Sequence, residues 1–94
     1  MYKEVDIYDI RDKLNNINLI DVRDKYLYNQ GSIPNAINIP SGFLITNPNE
    51  YLNKEEEYFL FCSHGHTSKR VCMYLSKLGF RVVNIIGGYN SYIR

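Results

Sequence analysis

Nine consecutive residues hold most of the reactive side chains of this sequence: Cys62-Ser63-His64-Gly65-His66-Thr67-Ser68-Lys69-Arg70. They follow an apolar run, Tyr58-Phe59-Leu60-Phe61, and lead into a stretch with helical spacing. A loop between a strand and a helix lets successive backbone N–H groups converge into an anion-binding nest. The helix adds its unpaired N–H groups and the positive end of its dipole. A cysteine at that mouth is pushed toward its thiolate, the nucleophilic form. Gly65 frees the backbone for the turn, and His64, His66, Lys69 and Arg70 add potential positive charge. The bland alternative is a buried strand-end Cys62 beside a polar turn. The glycine, the basic residues and the strand-to-helix position favour a reactive Cys62.

Three rival chemistries fail on spacing. A tyrosine-phosphatase loop needs an Arg six residues after its Cys to grip phosphate with two hydrogen bonds, and that position is Ser68. A thioredoxin-type pair needs Cys-x-x-Cys, but position 65 is Gly. Cys62, His64, His66 and Cys72 are potential zinc donors, yet their alternating spacing matches no common structural site, so no metal is expected.

The elements that must position this loop follow from periodicity. Asp6 is a good N-cap, and Ile7, Ile10 and Leu14 recur at helical spacing, which predicts a helix from Ile7 to about Asn15. Ile17 to Val22 reads as a buried strand. Arg23 to Asn29 reads as a short helix closed by Gly31, and Ala36 to Ile39 as a strand between Pro34 and Pro40. Ser41 to Lys54 contains Gly42, Pro48 and several Asn, so loop with one or two helical turns is expected. Tyr58 to Phe61 is apolar throughout, as in a central strand buried on both faces. Ser68 to Leu78 reads as a helix with Gly79 at its end, Arg81 to Ile86 as a strand, and Tyr89 to Arg94 as a last helical turn. Strands alternating with helices imply a mainly parallel sheet with helices on both faces, and ligands in such sheets bind outside the carboxyl ends of the strands.

Composition sets the outer bounds. A chain of 94 residues is expected to form a single domain, 1–94, with one sizeable core. Its formal net charge of +1 gives no global electrostatic case for nucleic acid. No apolar run approaches the ~18 residues of a membrane span, and the acidic start lacks the apolar stretch of a signal peptide. Two cysteines are too few for a disulfide framework, so a reducing, cytoplasmic setting is expected.

The order of motifs resembles the rhodanese family of sulfurtransferases from about Leu19 to Tyr92. Leu19-Ile20-Asp21-Val22-Arg23 is similar to the family's first motif. Gly31-Ser32-Ile33-Pro34-Asn35-Ala36 is similar to its Gly-His-Ile-Pro-Gly-Ala segment, and Cys62 to Thr67 to its six-residue Cys-x-x-Gly-x-Thr/Ser active loop. Leu78-Gly79-Phe80-Arg81-Val82-Val83 and Gly87-Gly88 are similar to the closing motifs, and His64 with Ser68-Lys69 to small bacterial thiosulfate sulfurtransferases. The chain departs at Ser32, where many relatives have His, at Asn35 for Gly, at Tyr92 for Trp, and at Thr67, where many single-domain members have Arg.

The resemblance implies a rhodanese-like α/β fold with a mostly parallel five-stranded central sheet. It implies a Cys62 persulfide that receives sulfur from a small anionic donor such as thiosulfate and hands it to a thiol, a protein thiol or cyanide, without a cofactor. Ser63, His64, Gly65, His66, Thr67, Ser68, Lys69 and Arg70 would then bind the substrate. A relay fed by a protein persulfide uses the same loop. A non-catalytic rhodanese-like module usually lacks the Cys, and Cys62 is present.

Outside the loop, Asp21 and Arg23 read as a structural ion pair, because polar groups at a strand end need partners. Cys72 lies among Val71 and Leu75 and reads as packing. The nine Tyr are scattered without a basic stripe, which argues against a nucleic-acid platform.

Overall fold

The computed structural model describes all 94 residues. Five strands form one sheet in the order β1-β5-β4-β2-β3, and every pairing is parallel. The strands are β1 (Lys3–Asp6), β2 (Asn18–Asp21), β3 (Ile37–Asn38), β4 (Glu57–Phe61) and β5 (Arg81–Ile86). The helices are α1 (Ile7–Ile10), α2 (Lys25–Gln30), α3 (Ser41–Thr46), α4 (Pro48–Tyr51), α5 (His66–Lys77) and α6 (Gly88–Tyr92), with a 3-10 segment at Arg11–Asn16.

Period-two alternation splits the apolar residues between two faces. Ile20, Leu60, Cys62 and Val82 pack with Leu44 of α3 and with Val71, Cys72 and Leu75 of α5. Leu19, Phe61 and Ile85 pack on the other face with Ile7, Ile10 and Leu14, and with the partly buried Tyr89 and Tyr92. A parallel sheet covered on both sides is the expected α/β architecture.

Two expectations need correction. Lys3–Asp6 is a strand that the pattern did not announce, because as an edge strand it buries little and only Val5 packs inward. The first helix is short: Asp6 caps it, accepting from the Tyr8 amide at 3.1 Å, but after Ile10 the chain tightens into the 3-10 segment. The stretch after Pro40 does contain two short helices. The end of α5 is a Schellman motif, with Gly79 at φ 95°, its N–H on the Ser76 carbonyl and the Phe80 N–H on the Leu75 carbonyl.

The chain runs from β2 outward to β3, but from β4 in the opposite direction to β5. The carboxyl ends of β2 and β4 are therefore neighbours whose loops diverge, the crevice where open α/β sheets bind ligands.

Candidate active site

Both of those loops face one cavity of about 340 Å³. Val22, Arg23 and Asp24 come from the end of β2, and Cys62, Ser63, His64, His66 and Thr67 from the end of β4. Leu27 of α2 and Ser41 at the start of α3 complete the wall.

Cys62 is buried, with one side on this cavity. Its sulfur accepts from the Gly65 amide at 3.1 Å and the Ser68 amide at 3.3 Å, and lies 3.4 Å from the Ser68 hydroxyl. The Ser68 amide belongs to the first turn of α5, whose N–H groups have no partner within the helix. Burial pushes the Cys62 thiol pKa up, but the Ser68 hydroxyl and amide, with the Gly65 and His64 amides, outweigh it and hold the pKa below the ordinary thiol value. Helix α5 begins at His66, two residues before its expected start, because Gly65 caps it at φ 100°. A Cβ at Gly65 would crowd the Gly87 backbone nitrogen at 3.0 Å.

The loop is held from outside by α6. The Tyr89 amide donates to the Cys62 carbonyl at 2.8 Å, and the Asn90 amide to the Ser63 carbonyl at 3.0 Å. Gly88 sits at φ 60°, and any Cβ there would overlap the Cys62 carbonyl oxygen. The Asn90 side-chain nitrogen lies 2.9 Å from His64 Nδ1. None of these α6 contacts was read from sequence, although Gly87-Gly88 marked the turn.

Of the nine residues singled out, Cys62, Ser63, His64, His66 and Thr67 line the cavity. Gly65 and Ser68 lie behind the sulfur. Lys69 and Arg70 are exposed on α5 and do not line it. No group of three or more His, Cys, Asp or Glu is placed to hold a metal ion. Cys72 is fully buried, and burial first, then the charges of Glu4 and Cys62, push its thiol up to about 12.

Asp21 and Arg23 form the expected ion pair. Arg23 Nη2 donates to Asp21 Oδ2 at 2.7 Å and Nε to Oδ1 at 3.0 Å, while Nη2 also reaches the Gly31 carbonyl at 2.7 Å. The guanidinium carbon stands 4.4 Å over the Tyr89 ring centroid, joining β2 to α6. Ser32 donates to Asp21 Oδ2 at 2.8 Å, and Asn35 takes φ 77°, the left-handed region in which Asn is the commonest substitute for Gly. Two of the four departures from the family pattern, Ser32 and Asn35, thus have a structural account.

A parallel α/β sheet that seats a cysteine among loop and helix amides at its carboxyl edge defines a domain built to stabilise a sulfur anion. The chain belongs to the rhodanese family of sulfurtransferases, whose profile, described as Rhodanese-like domain, matches residues 5–94. It is 37% identical over 93 residues to the putative sulfurtransferase YtwF of Bacillus subtilis, covering 96% of this chain and 89% of that one. It is 30% identical over 95 residues to the thiosulfate sulfurtransferase GlpE of Coxiella burnetii, covering 98% and 88%. The crystal structure of a rhodanese-related protein from Thermoplasma volcanium superposes with a TM-score of 0.88 at 32% identity, over 98% of this chain and 91% of that one.

Proposed function

We propose that this protein moves a sulfane sulfur from thiosulfate, or a similar small anionic donor, to a thiol or cyanide acceptor through a persulfide on Cys62. The observation that carries the reading is a sulfur atom 3.1 and 3.3 Å from two backbone N–H groups at the floor of an open cavity. The Cys62 thiolate attacks the outer sulfur of thiosulfate. A Cys62 S–S bond forms, the bond to the sulfonate sulfur breaks, and sulfite leaves with the electron pair. The acceptor then attacks the terminal sulfur, and the Cys62 thiolate leaves. Each step ends with a sulfur anion that the amides can stabilise without reorganisation.

In this reading the Gly65 and Ser68 amides hold the nucleophile. Ser63, His64, His66 and Thr67 shape and polarise the donor site, and Lys69 and Arg70 contribute potential at the rim. Neither displacement needs a cofactor, and a reducing compartment would keep both thiols free. The experiment is a sulfur-transfer assay with thiosulfate and with 3-mercaptopyruvate, using cyanide or a small thiol as acceptor. Turnover by the parent and none by Cys62→Ala is expected. Failure with both donors would move the donor to a protein persulfide.

A further inference from the structure

The mechanism uses the Ser68 amide, but the Ser68 hydroxyl has a second partner behind it. Asn84 is 2% exposed and is a polar residue in an otherwise apolar strand, Val82-Val83-Asn84-Ile85-Ile86. It shares the sheet face of Val82 and points toward α5. The Ser68 hydroxyl donates to Asn84 Oδ1 at 2.6 Å, and Asn84 Nδ2 donates to Glu4 Oε2 at 2.9 Å. A row of hydrogen bonds therefore runs from Glu4 on the edge strand, through Asn84 and Ser68, to the Cys62 sulfur.

The chemistry fixes the direction of this row. An ionised carboxylate only accepts, so Glu4 requires the Asn84 NH₂ to face it. That leaves the amide oxygen facing Ser68. A hydroxyl has one hydrogen, and here it goes to Asn84. Ser68 Oγ then presents lone pairs to Cys62, whose thiol donates to it over 3.4 Å. The other acceptor within reach of the hydroxyl, the Gly65 carbonyl, also lies at 3.4 Å.

We propose that Asn84, oriented by Glu4, is a positioning residue that withholds the Ser68 hydroxyl hydrogen from the resting Cys62 thiol. Ionisation of the sulfur, or formation of its persulfide, makes it a stronger acceptor, and the hydrogen swings to it at the expense of the bond to Asn84. The bond to Asn84 thus tempers, without cancelling, the help that the Ser68 hydroxyl gives the ionised sulfur, and it reserves one donor for the reacting anion. This rests on Cys62 being the sulfur carrier, but its test reads the thiol itself and needs no turnover.

The charged and titratable groups around Cys62 are Cys72 on α5, Glu4 behind Asn84, Arg23 and Asp24 across the cavity, and His64 and His66 in the loop. Lys69 and Arg70 lie on the outer side of α5. All except Glu4 are unchanged among the test variants, so their effects cancel in differences between them. The test is the pH midpoint of Cys62 alkylation, mapped by peptide mass, in Asn84→Leu, Ser68→Ala and the double variant. Asn84→Leu fills similar space, leaves the charge of Glu4 in place and frees the hydroxyl. Its midpoint should fall by about half a unit to one unit. In the Ser68→Ala background the same substitution should have no effect. An unmoved midpoint, or an equal shift in both backgrounds, overturns the proposal. Should Asn84→Leu fail to fold, Glu4→Gln on the exposed edge serves instead. Its midpoint should fall further with Ser68 present than in the Ser68→Ala background, and equal falls would overturn the proposal. The expected alkylation shifts with no sulfur transfer would fault the functional reading, leaving the hydrogen-bond control of the resting thiol in place but with no persulfide for it to serve.

Discussion

The acidity of a single sulfur atom, on which the proposed chemistry turns, follows from a few hydrogen-bond donors. Burial opposes its charge, and the Ser68 hydroxyl, with the Ser68 and Gly65 amides at 3.3 and 3.1 Å, outweighs that cost. Because the pKa is lowered, the thiolate forms at lower pH than in a free thiol, whose pKa is about 8.5. Alkylation of Cys62 should follow the thiolate, with a midpoint below the free-thiol value, and a midpoint at or above about 8.5 would remove the electrostatic argument. Cys72 should remain unmodified over the same range, since its thiol is pushed up to about 12. Much of the site was legible residue by residue. A Cys followed by Gly and a helix is enough to place an anion nest. The withheld part was the second partner of Ser68, although Asn84 interrupting an apolar strand was a visible sign of it.

Elements place the loop from both sides, and two substitutions test that placement. Arg23 crosses from the end of β2 to the Gly31 carbonyl and stacks over Tyr89 of α6. Arg23→Ala leaves Asp21 buried and unpaired, at a cost of about 3–5 kcal/mol in urea unfolding. Arg23→Lys should recover only part, because an ammonium cannot form the two-pronged bond. Recovery of full stability by Lys would contradict this role. Gly88→Ala attacks the contact of α6 with the loop. The new Cβ meets the Cys62 carbonyl in a left-handed backbone, which should cost about 1–3 kcal/mol and lower sulfur transfer with it. Unchanged stability and transfer would show that α6 does not hold the loop. Periodicity made β4, α5 and β5 readable, because each is long enough to show its apolar pattern. It could not show β1, where Lys3, Glu4 and Asp6 stay exposed on an edge, nor the break after Ile10, where the helix tightens without a Pro or Gly. The count of five strands came from the resemblance, since the pattern showed only four, and the strand order was not read at all, because pairing between distant segments leaves no local trace.

Across the molecule as a whole, charge and topology decide what reaches the sulfur. The net charge of +1 is too small to steer an anion by itself, so any attraction must be local. Lys69 and Arg70 stand on α5 outside the cavity, so in the proposed reading they act through the local potential at its rim rather than by contact. Replacing both by Ala should raise the thiosulfate KM more than it lowers kcat. The difference should shrink between 0.1 and 1 M salt, as the screening length falls from about 10 to 3 Å. Equal kinetics in parent and double variant at low salt would leave these residues as solvated surface. Topology makes the stronger statement: the switch between β2 and β4 puts Cys62 at the one crevice common to such sheets. Whether Cys62 carries sulfur is read from the intact mass of the protein after incubation with thiosulfate, before and after addition of a reductant. One added sulfur, about 32 Da, is expected, removed by the reductant, mapped to Cys62 and absent in Cys62→Ala. An increment on Cys72, or one that persists in Cys62→Ala, would contradict a Cys62 persulfide.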